Sequence, residues 1–414
     1  MPQIVHIIGA GLAGLAAAVA LASRGVATVI HEATDQAGGR CRSYDDATSG
    51  MRIDNGTHIL LSGNTAALDF VASIGATKLL TAFPSARFPF VDLISKQRWT
   101  LDLGSGRLPS WVFDRNRRAP GTRMLDYLSL APIMWPASDQ PLRDVVSCSG
   151  PAYQQVMRPF LLAALNIDPS ESSSALARAV VRETIARGGS ACQPYLAPQG
   201  LSVAFVEPAI AYLNRHAGAI RFGKQLRRFV IVAETVAGLD FSDSVIAVGP
   251  NDAVVLAVPP YAARAIIPQL KAPDEFRAII NAHFRIVPPP SLEPMIGVLN
   301  GAAEWIFAFE DRICVTISGA DRLLQHGRDE LAKMIWQDVR RVADVPPELP
   351  PWQIVRERRA TFAATPSQNA KRPGVRTAWR NLALAGDWTD TGLPATIESA
   401  VRSGTRAADL VLQS

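Results

Sequence analysis

The sequence predicts an α/β fold in which separate parts of the chain contribute strands to one parallel sheet, and three observations support this prediction. Residues 4–8 are apolar and mostly β-branched, as in a buried parallel strand, and a glycine-rich loop and an Ala/Leu-rich helix follow them. Residues 27–31 repeat the strand pattern and end at Glu32. Near the C-terminus, residues 382–385 form a third apolar run, which leads into Gly386, Asp387 and a helical stretch.

The loop at residues 9–14 reads Gly-Ala-Gly-Leu-Ala-Gly. Gly9 and Gly11 permit a tight turn that brings backbone N–H groups close to a pyrophosphate, and Gly14 permits close packing of the helix on the strand. The N-terminus of that helix favours an anion. Glu32 follows about 20 residues later, where a carboxylate accepts hydrogen bonds from a ribose. Since strand, loop, helix, strand and acid occur in order, the pattern predicts a dinucleotide site.

A second glycine pair, Gly38-Gly39, precedes Arg40 at the point where a nicotinamide-binding unit would normally begin its next helix. Two glycines and an arginine favour a second backbone approach to phosphate, with a guanidinium to neutralise it. The alternative is an ordinary glycine-rich turn with a solvated arginine. The C-terminal Gly386-Asp387 and the helical stretch at 396–404 favour the phosphate interpretation.

Together these elements resemble the FAD-dependent amine oxidase and carotenoid desaturase superfamily. The resemblance implies a Rossmann-like FAD-binding domain of the glutathione-reductase type, amine oxidase-like, formed by residues 1–75, 200–265 and 375–414. It implies a second, α+β substrate-binding domain formed by residues 76–199 and 266–374. The FAD is expected to be non-covalent, because the C-terminal motif lacks the cysteine that attaches flavin in some relatives. The implied FAD contacts are Gly9, Gly11, Leu12, Ala13, Gly14, Glu32, Gly39, Arg40, Gly56, Thr57, Leu226, Gly386, Asp387, Ala395, Thr396 and Ile397.

Four passages narrow the resemblance to the hydroxysqualene dehydroxylase family of bacterial hopanoid synthesis. They are residues 53–61, 158–166, 198–202 and 305–307. Thr57 is a departure, since the family more often has Gln there. The resemblance implies that the allylic hydroxyl of hydroxysqualene is replaced by hydrogen to give squalene. It further implies an allylic cation that receives hydride from N5 of reduced FAD.

The family resemblance places the loop that contains Asp54 and His58 near the flavin ring. His58 is therefore the candidate acid that protonates the leaving hydroxyl, and Asp54 is a second candidate. Each also has a structural interpretation. His58 would brace the loop through a backbone hydrogen bond, and Asp54 would form a turn.

Aromatic side chains at Trp305, Phe307 and Phe309 are predicted to line an isoprenoid tunnel or, alternatively, to form ordinary sheet core. Asn281 and His283, on the strand-like run 279–284, are candidates to face the substrate. Many amine oxidases have a lysine on this run, and its absence here disfavours amine oxidation. The remaining alternatives are a carotenoid or phytoene desaturase, which oxidises a similar polyene, and a flavin-binding scaffold without turnover.

Composition excludes several other classes. A chain of 414 residues with 48% hydrophobic residues is long enough for two lobes, and a net charge of +5 gives no polybasic stripe for nucleic acid. The four cysteines are scattered, so no metal site is expected. No signal peptide or apolar run of membrane-spanning length is evident, so the sequence predicts a cytoplasmic protein. No second glycine loop is present for NADPH, so an external electron donor is expected.

Peripheral contact with the inner face of the membrane is a further expectation. Residues 108–118 interleave aromatic residues with Arg115, Arg117 and Arg118, and residues 128–135 are apolar and end at Trp135. Such segments rest on anionic bilayers and admit lipid-soluble substrates. The alternative is a partly buried lid of the substrate lobe with solvated arginines.

Overall fold

The computed structural model describes residues 2–135 and 138–413. The α-helices are α1 (Leu12–Ala22), α2 (Thr65–Ser73), α3 (Met124–Leu128), α4 (Arg158–Leu165), α5 (Ser174–Glu183), α6 (Glu207–Arg215), α7 (Pro260–Ile266), α8 (Arg328–Val342), α9 (Pro366–Asn369) and α10 (Ile397–Leu412). The strands are β1 (Ile4–Ile8), β2 (Ala27–His31), β3 (Ser43–Asp46), β4 (Met51–Asp54), β5 (Leu60–Leu61), β6 (Thr81–Ala82), β7 (Arg87–Asp92), β8 (Arg98–Asp102), β9 (Pro194–Leu196), β10 (Gly218–Arg221), β11 (Leu226–Val232), β12 (Thr235–Phe241), β13 (Val245–Ala247), β14 (Ala253–Leu256), β15 (Phe276–Phe284), β16 (Met295–Leu299), β17 (Trp305–Ala308), β18 (Ile313–Ile317), β19 (Trp352–Phe362) and β20 (Leu382–Leu384).

The first large sheet is parallel and has the strand order β10-β2-β1-β14-β20. Its strands come from three distant parts of the chain, all within the ranges predicted for the FAD-binding domain. Side chains of β1 alternate between two cores: Val5 and Ile7 pack with α1 and α10, and Ile8 packs with Val254 and Leu256 on the opposite face. Burial on both faces explains why these strands are continuous apolar runs.

The second large sheet is mixed and has the order β19-β15-β18-β17-β16-β7-β8. One face carries Ile280, Ala282 and Phe284, which pack against α8, and the ring of Phe284 lies 4.9 Å from that of Trp336. The period of two along a strand sends the alternate residues of β15 to the other face. That other face looks towards the N-terminal loops and carries an aromatic cluster.

Smaller elements differ in extent from the predicted ones. The helical periodicity of residues 157–165 in the sequence corresponds to α4, which begins at Arg158 after a π-helical turn at Tyr153–Met157. The similar periodicity of residues 175–186 corresponds to α5, which ends at Glu183. The C-terminal helix α10 continues past Gly404 to Leu412, because Gly404 marks its close crossing with α1 and not its end. Within the described residues, no helix is both long and apolar enough to cross a bilayer.

Candidate active site

The loop between β1 and α1 leaves space for a ligand at the N-terminus of α1. Gly9 has φ +105°, and a Cβ there would lie 2.6 Å from the carbonyl oxygen of Ala257. A Cβ on Gly14 would overlap the carbonyl oxygen of Gly9, so α1 packs directly on the turn. Gly11, in contrast, has no heavy atom within 4 Å of its Cβ position, and no described side chain caps the helix there. The first N–H groups of α1, at the predicted contacts Leu12 and Ala13, therefore fit the pyrophosphate of a dinucleotide.

Glu32 follows β2 and lies beside this loop. Its Oε2 accepts a hydrogen bond from the N–H of Ala10 at 2.8 Å, and its Oε1 accepts two from Thr34, both at 2.9 Å. A carboxylate offers about four lone-pair sites, so the half-buried Glu32 keeps acceptor capacity for ribose hydroxyls. The chain leading to Leu226, one of the predicted FAD contacts, runs alongside, because the N–H of Lys224 donates to the carbonyl of Glu32 at 2.8 Å.

The second glycine motif lies directly against the first. The N–H of Gly38 donates to the carbonyl of Ala10 at 2.8 Å, and a Cβ on Gly39 would lie 3.4 Å from the Cα of Gly11. Residues almost 30 positions apart therefore form one glycine-lined surface. This surface lets the backbone approach a phosphate from two sides.

Arg40 connects this surface to the C-terminal motif. Its guanidinium donates to Oδ1 of Asp387 at 2.7 Å and to the carbonyl of Ala360 at 2.5 Å. The Arg40 side chain is 40% exposed and that of Asp387 only 8%, so the guanidinium still faces open space while the carboxylate is enclosed. Gly386 precedes Asp387 with φ +145° and connects it to β20. The predicted N- and C-terminal cofactor residues are thus brought together by one ion pair.

A buried arginine that sequence reasoning missed fixes the turn after Asp387. Arg372 donates to the carbonyls of Asp387 and Trp388, both at 3.4 Å, and of Thr389 at 2.5 Å. Burial lowers the pKa of Arg372 to about 10, so it remains protonated at neutral pH. Arg372 stands in no recognisable motif, and only the packing of the chain shows its role.

The N-terminus of α10 is anchored to the same turn. Oγ1 of Thr396 caps α10 by accepting the N–H of Ser399 at 3.1 Å, and Oγ of Ser399 donates to the carbonyl of Asp387 at 3.3 Å. Ala395 and Thr396 are half-buried, and Ile397 is the first helical residue. The dipole of this 16-residue helix favours negative charge at its N-terminus, as on the N1 edge of a reduced flavin.

His58 lies in the loop between β4 and β5. Burial, and then the positive charge of Arg40, lower the pKa of His58 to about 4, so the imidazole is neutral at pH 7. Its side chain keeps some exposure, and among the described residues no protein group forms a hydrogen bond with it. The predicted brace to the backbone is therefore absent from the described residues, and the imidazole is available to a ligand beside Arg40.

Asp54, the second candidate acid, is occupied by the protein. Its Oδ1 accepts a hydrogen bond from Oγ of Ser43 at 2.5 Å and from the N–H of Leu201 at 2.8 Å. Ser43 and Ser202 exchange two further bonds, of 2.7 and 2.9 Å. Burial raises the pKa of Asp54. The carboxyl group thus ties the β3–β4 hairpin to the segment that precedes α6, and its catalytic role stays a prediction.

Asn281 and His283 point from β15 towards the 54–58 loop. Nδ2 of Asn281 donates to the carbonyl of Asn55 at 3.2 Å and lies 3.0 Å from the position of a Cβ on Gly56, and Oδ1 accepts from Thr316 at 2.8 Å. Nδ1 of His283 lies 3.0 Å from Sγ of Cys314. These side chains hold the loop that carries Gly56 and Thr57 against the second sheet. Sequence spacing gave no signal for the Cys314 partner.

An aromatic cluster continues from this loop across the second sheet. Ile59 and Leu61 pack against it directly beside His58. The aromatic rings of Phe90 and Trp305 form an edge contact at 5.5 Å, and Trp99 stacks on Phe90 at 5.6 Å. The buried large members of the cluster are Phe88, Phe90, Leu101, Leu103, Trp111, Val156, Ile185, Leu196, Met295, Trp305, Phe307 and Phe309. In residues 2–135 and 138–413, no three His, Cys, Asp or Glu side chains are placed to hold a metal ion.

Comparison with known proteins agrees with this geometry. Residues 12–412 match the family described as flavin containing amine oxidoreductase. The chain is 54% identical over 412 residues to a hydroxysqualene dehydroxylase of Sinorhizobium fredii and 54% identical over 413 residues to one of Rhodopseudomonas palustris, and each alignment covers 100% of this chain and 99% of the relative. The solved cyclohexylamine oxidase of Brevibacterium oxydans has a TM-score of 0.71 at 17% identity over 100% of this chain and 99% of that one, which shows a shared fold.

Proposed function

Because the chain belongs to the hydroxysqualene dehydroxylase family of flavin-containing amine oxidoreductases, we propose that it removes the hydroxyl group of hydroxysqualene in an FAD-dependent reaction. The observation that carries this proposal is the continuity of the aromatic cluster with the loop of His58. A long hydrocarbon fits an apolar, aromatic surface, and the hydroxyl fits the neighbouring imidazole of His58, which has no hydrogen-bond partner among the described residues.

The reaction breaks the C–O bond, forms a C–H bond and releases water. Reduced FAD, which the surface formed by Gly11, Gly39 and Arg40 would hold, would supply the hydride. The protonated form of His58, a minor form at neutral pH, supplies the proton to the departing hydroxyl oxygen and becomes neutral again, which suits a site where a cation develops. The positive charge of Arg40 destabilises that cation only in part, because the carboxylate of Asp387 pairs with the guanidinium.

The aromatic cluster stabilises the developing cation and excludes water from it. The faces of Trp305 and Phe307 stabilise positive charge on an allylic carbon through cation–π attraction, each worth about 0.5–2 kcal/mol. Their burial also keeps water from capturing the cation, which would regenerate an alcohol. Asn281 and His283 act as positioning residues, because they hold the 54–58 loop in place.

Each turnover consumes two electrons, so FAD must be reduced again by a partner. We place this donor outside the chain, since no second dinucleotide loop occurs in the sequence. Because hydroxysqualene is water-insoluble, peripheral contact with a membrane completes the proposal.

The decisive experiment is anaerobic turnover of hydroxysqualene by chemically reduced enzyme, followed by mass analysis of the product. Squalene is expected, and the flavin absorbance should return as the hydroxyl is lost. The same incubation with oxidised enzyme should leave the substrate unchanged. A desaturase would instead bleach oxidised flavin while removing hydrogen from the polyene, and a flavin-binding scaffold would give no redox response in either arm.

A further inference from the structure

Five large apolar side chains point outward from residues 108–135. Their exposed fractions are 73% for Leu108, 73% for Phe113, 66% for Leu125, 53% for Leu128 and 66% for Trp135. Isolated exposed apolar residues are ordinary, but several within one short segment mark an interaction surface. We call these five side chains the 108–135 patch.

The patch is carried on ordered structure. A 3₁₀ turn at Ser110–Phe113 packs against α3, with the rings of Trp111 and Tyr127 in an edge contact at 5.1 Å. Oη of Tyr127 lies 3.1 Å from Oγ1 of Thr122. Trp111 thus points inward, whereas Phe113 on the same turn points outward, as do Leu125 and Leu128 one helical turn apart on α3. The outward apolar side chains therefore result from a fixed fold of this segment.

Positive charge accompanies the patch. Residues 107–135 contain five arginines against two aspartates. Arg107, Arg115 and Arg123 are exposed and form no ion pair among the described residues. Arg117, expected from the sequence to be available, is instead 3.5 Å from Oδ1 of Asp102, and Arg118 is half-buried. Exposed apolar groups flanked by unpaired arginines complement a surface that is apolar within and anionic outside, which is an anionic lipid bilayer.

The patch also connects with the interior. Trp111, only 1% exposed, belongs to the aromatic cluster that contains Phe88, Phe90 and Trp305. One turn of the chain thus contributes Phe113 to the surface and Trp111 to the predicted substrate region. Apolar side chains in contact with one another thus extend from the surface to the loop of His58.

We propose that the 108–135 patch docks on an anionic bilayer and that the long-chain substrate enters from the bilayer past Trp111. The docking itself follows from the surface alone. The identity of the passing substrate rests on the proposed function.

The test compares binding to vesicles of phosphatidylglycerol and phosphatidylcholine. Replacing Phe113, Leu128 and Trp135 together by Ser should abolish cosedimentation with both mixed and purely anionic vesicles. The control replaces Ile94 and Val287, which are 76% and 75% exposed elsewhere on the molecule, by Ser and should bind like the parent. Equal binding of the patch variant and the parent would overturn the proposal.

The electrostatic contribution is tested separately. Replacing Arg107, Arg115 and Arg123 by Gln should weaken partition onto anionic vesicles about 100-fold, because each arginine near the surface contributes about fivefold. A control with Arg215 and Arg340, exposed on α6 and α8, should show little change. Equal losses in both variants would mean that general charge, and not this surface, governs binding.

Turnover assays distinguish a failure of the docking proposal from a failure of the proposed reaction. The patch variant should turn over hydroxysqualene presented in detergent micelles normally, and it should fail with the same substrate embedded in vesicles. Absence of turnover by the parent in both formats, with vesicle binding intact, would refute the function and not the docking. A parent that dimerises through the patch, and ignores vesicles, would show that a second copy covers it and would overturn the docking.

Discussion

Replacing Gly11 by Ala tests whether the open space at the N-terminus of α1 is the pyrophosphate site. Gly11 has φ −71° and ψ 175°, which alanine adopts without strain, and no heavy atom lies within 4 Å of the new Cβ. The apoprotein should therefore be as stable as the parent or gain about 0.4–1 kcal/mol, because alanine has less conformational freedom in the unfolded chain. Only a ligand would meet the added methyl group.

The expected loss of FAD affinity is large. A methyl group at this position keeps a phosphate from the backbone N–H groups of Gly11 and the first turn of α1. Losing two hydrogen bonds to a charged group, at about 1.5–3 kcal/mol each, amounts to about 3 kcal/mol or more, and thus to about 100-fold or more weaker FAD binding. Titration of deflavinated protein with FAD, followed by quenching of flavin fluorescence, measures the dissociation constant, and thermal unfolding of the apoprotein measures stability.

Two matched variants complete the experiment. Gly374 is exposed, and its Cβ position also has nothing within 4 Å, so Gly374→Ala should leave both FAD affinity and stability nearly unchanged. Gly14→Ala should destabilise the apoprotein itself, because its Cβ overlaps the carbonyl oxygen of Gly9. An FAD dissociation constant of Gly11→Ala within threefold of the parent would refute the placement of the pyrophosphate.

Three further predictions concern the buried polar groups. Asp54→Asn keeps an acceptor for Ser43 and Leu201 and should retain near-parental stability and turnover. Asp54→Ala should lose about 3 kcal/mol of unfolding free energy, since two buried donors are left unpaired, and a folded but inactive Asp54→Asn variant would instead identify Asp54 as the acid. His58→Asn should retain FAD and lose at least about 100-fold in kcat/KM. Because the pKa of His58 is lowered to about 4, the parental rate of the chemical step should rise about tenfold per pH unit from pH 7.5 to 5.5, and a rate that does not change with pH would exclude His58 as the acid. Burial lowers the pKa of His283 to about 3, so on acidification the unfolded chain binds a proton at His283 before the folded chain does. The stability that His283 contributes is therefore complete above about pH 6.5 and falls by up to about 1.4 kcal/mol per pH unit below it. His283→Asn should flatten the dependence of the unfolding free energy on pH over this range, and equal dependence in parent and variant would contradict the lowered pKa.

The predicted cofactor motifs can be recognised in the sequence because they are local. Gly9, Gly11 and Gly14 stand next to a strand and a helix, and a short stretch of sequence encodes the whole turn. Glu32 follows the second strand for the same reason. The carboxyl ends of parallel strands meet at one edge of a sheet, so these residues lie together whenever the sheet forms. The exact ends of the helices were less predictable, since Gly404 lies within α10 where a close helix crossing requires a glycine.

The surroundings of the candidate acids were not predictable. Asp54 and His58 are four residues apart in the sequence, and both were predicted as candidate acids on the same grounds. In the folded chain Asp54 meets Ser43 and Leu201, whereas His58 meets no described hydrogen-bond partner and faces Arg40. Sequence spacing does not contain this difference, because Leu201 is 147 positions from Asp54.

The sequence by itself determined that this protein has a dinucleotide-binding α/β fold, and it predicted cofactor contacts at Gly9–Gly14, Glu32, Arg40 and Asp387. These features depend on backbone turns and strand ends, which neighbouring residues specify. Only the tertiary structure decided that Arg40 pairs with Asp387, that Arg372 holds the turn beyond it, and which arginines near residue 115 remain unpaired. Those contacts join residues far apart in the chain, and their strength depends on burial and distance, which exist only once the chain has packed.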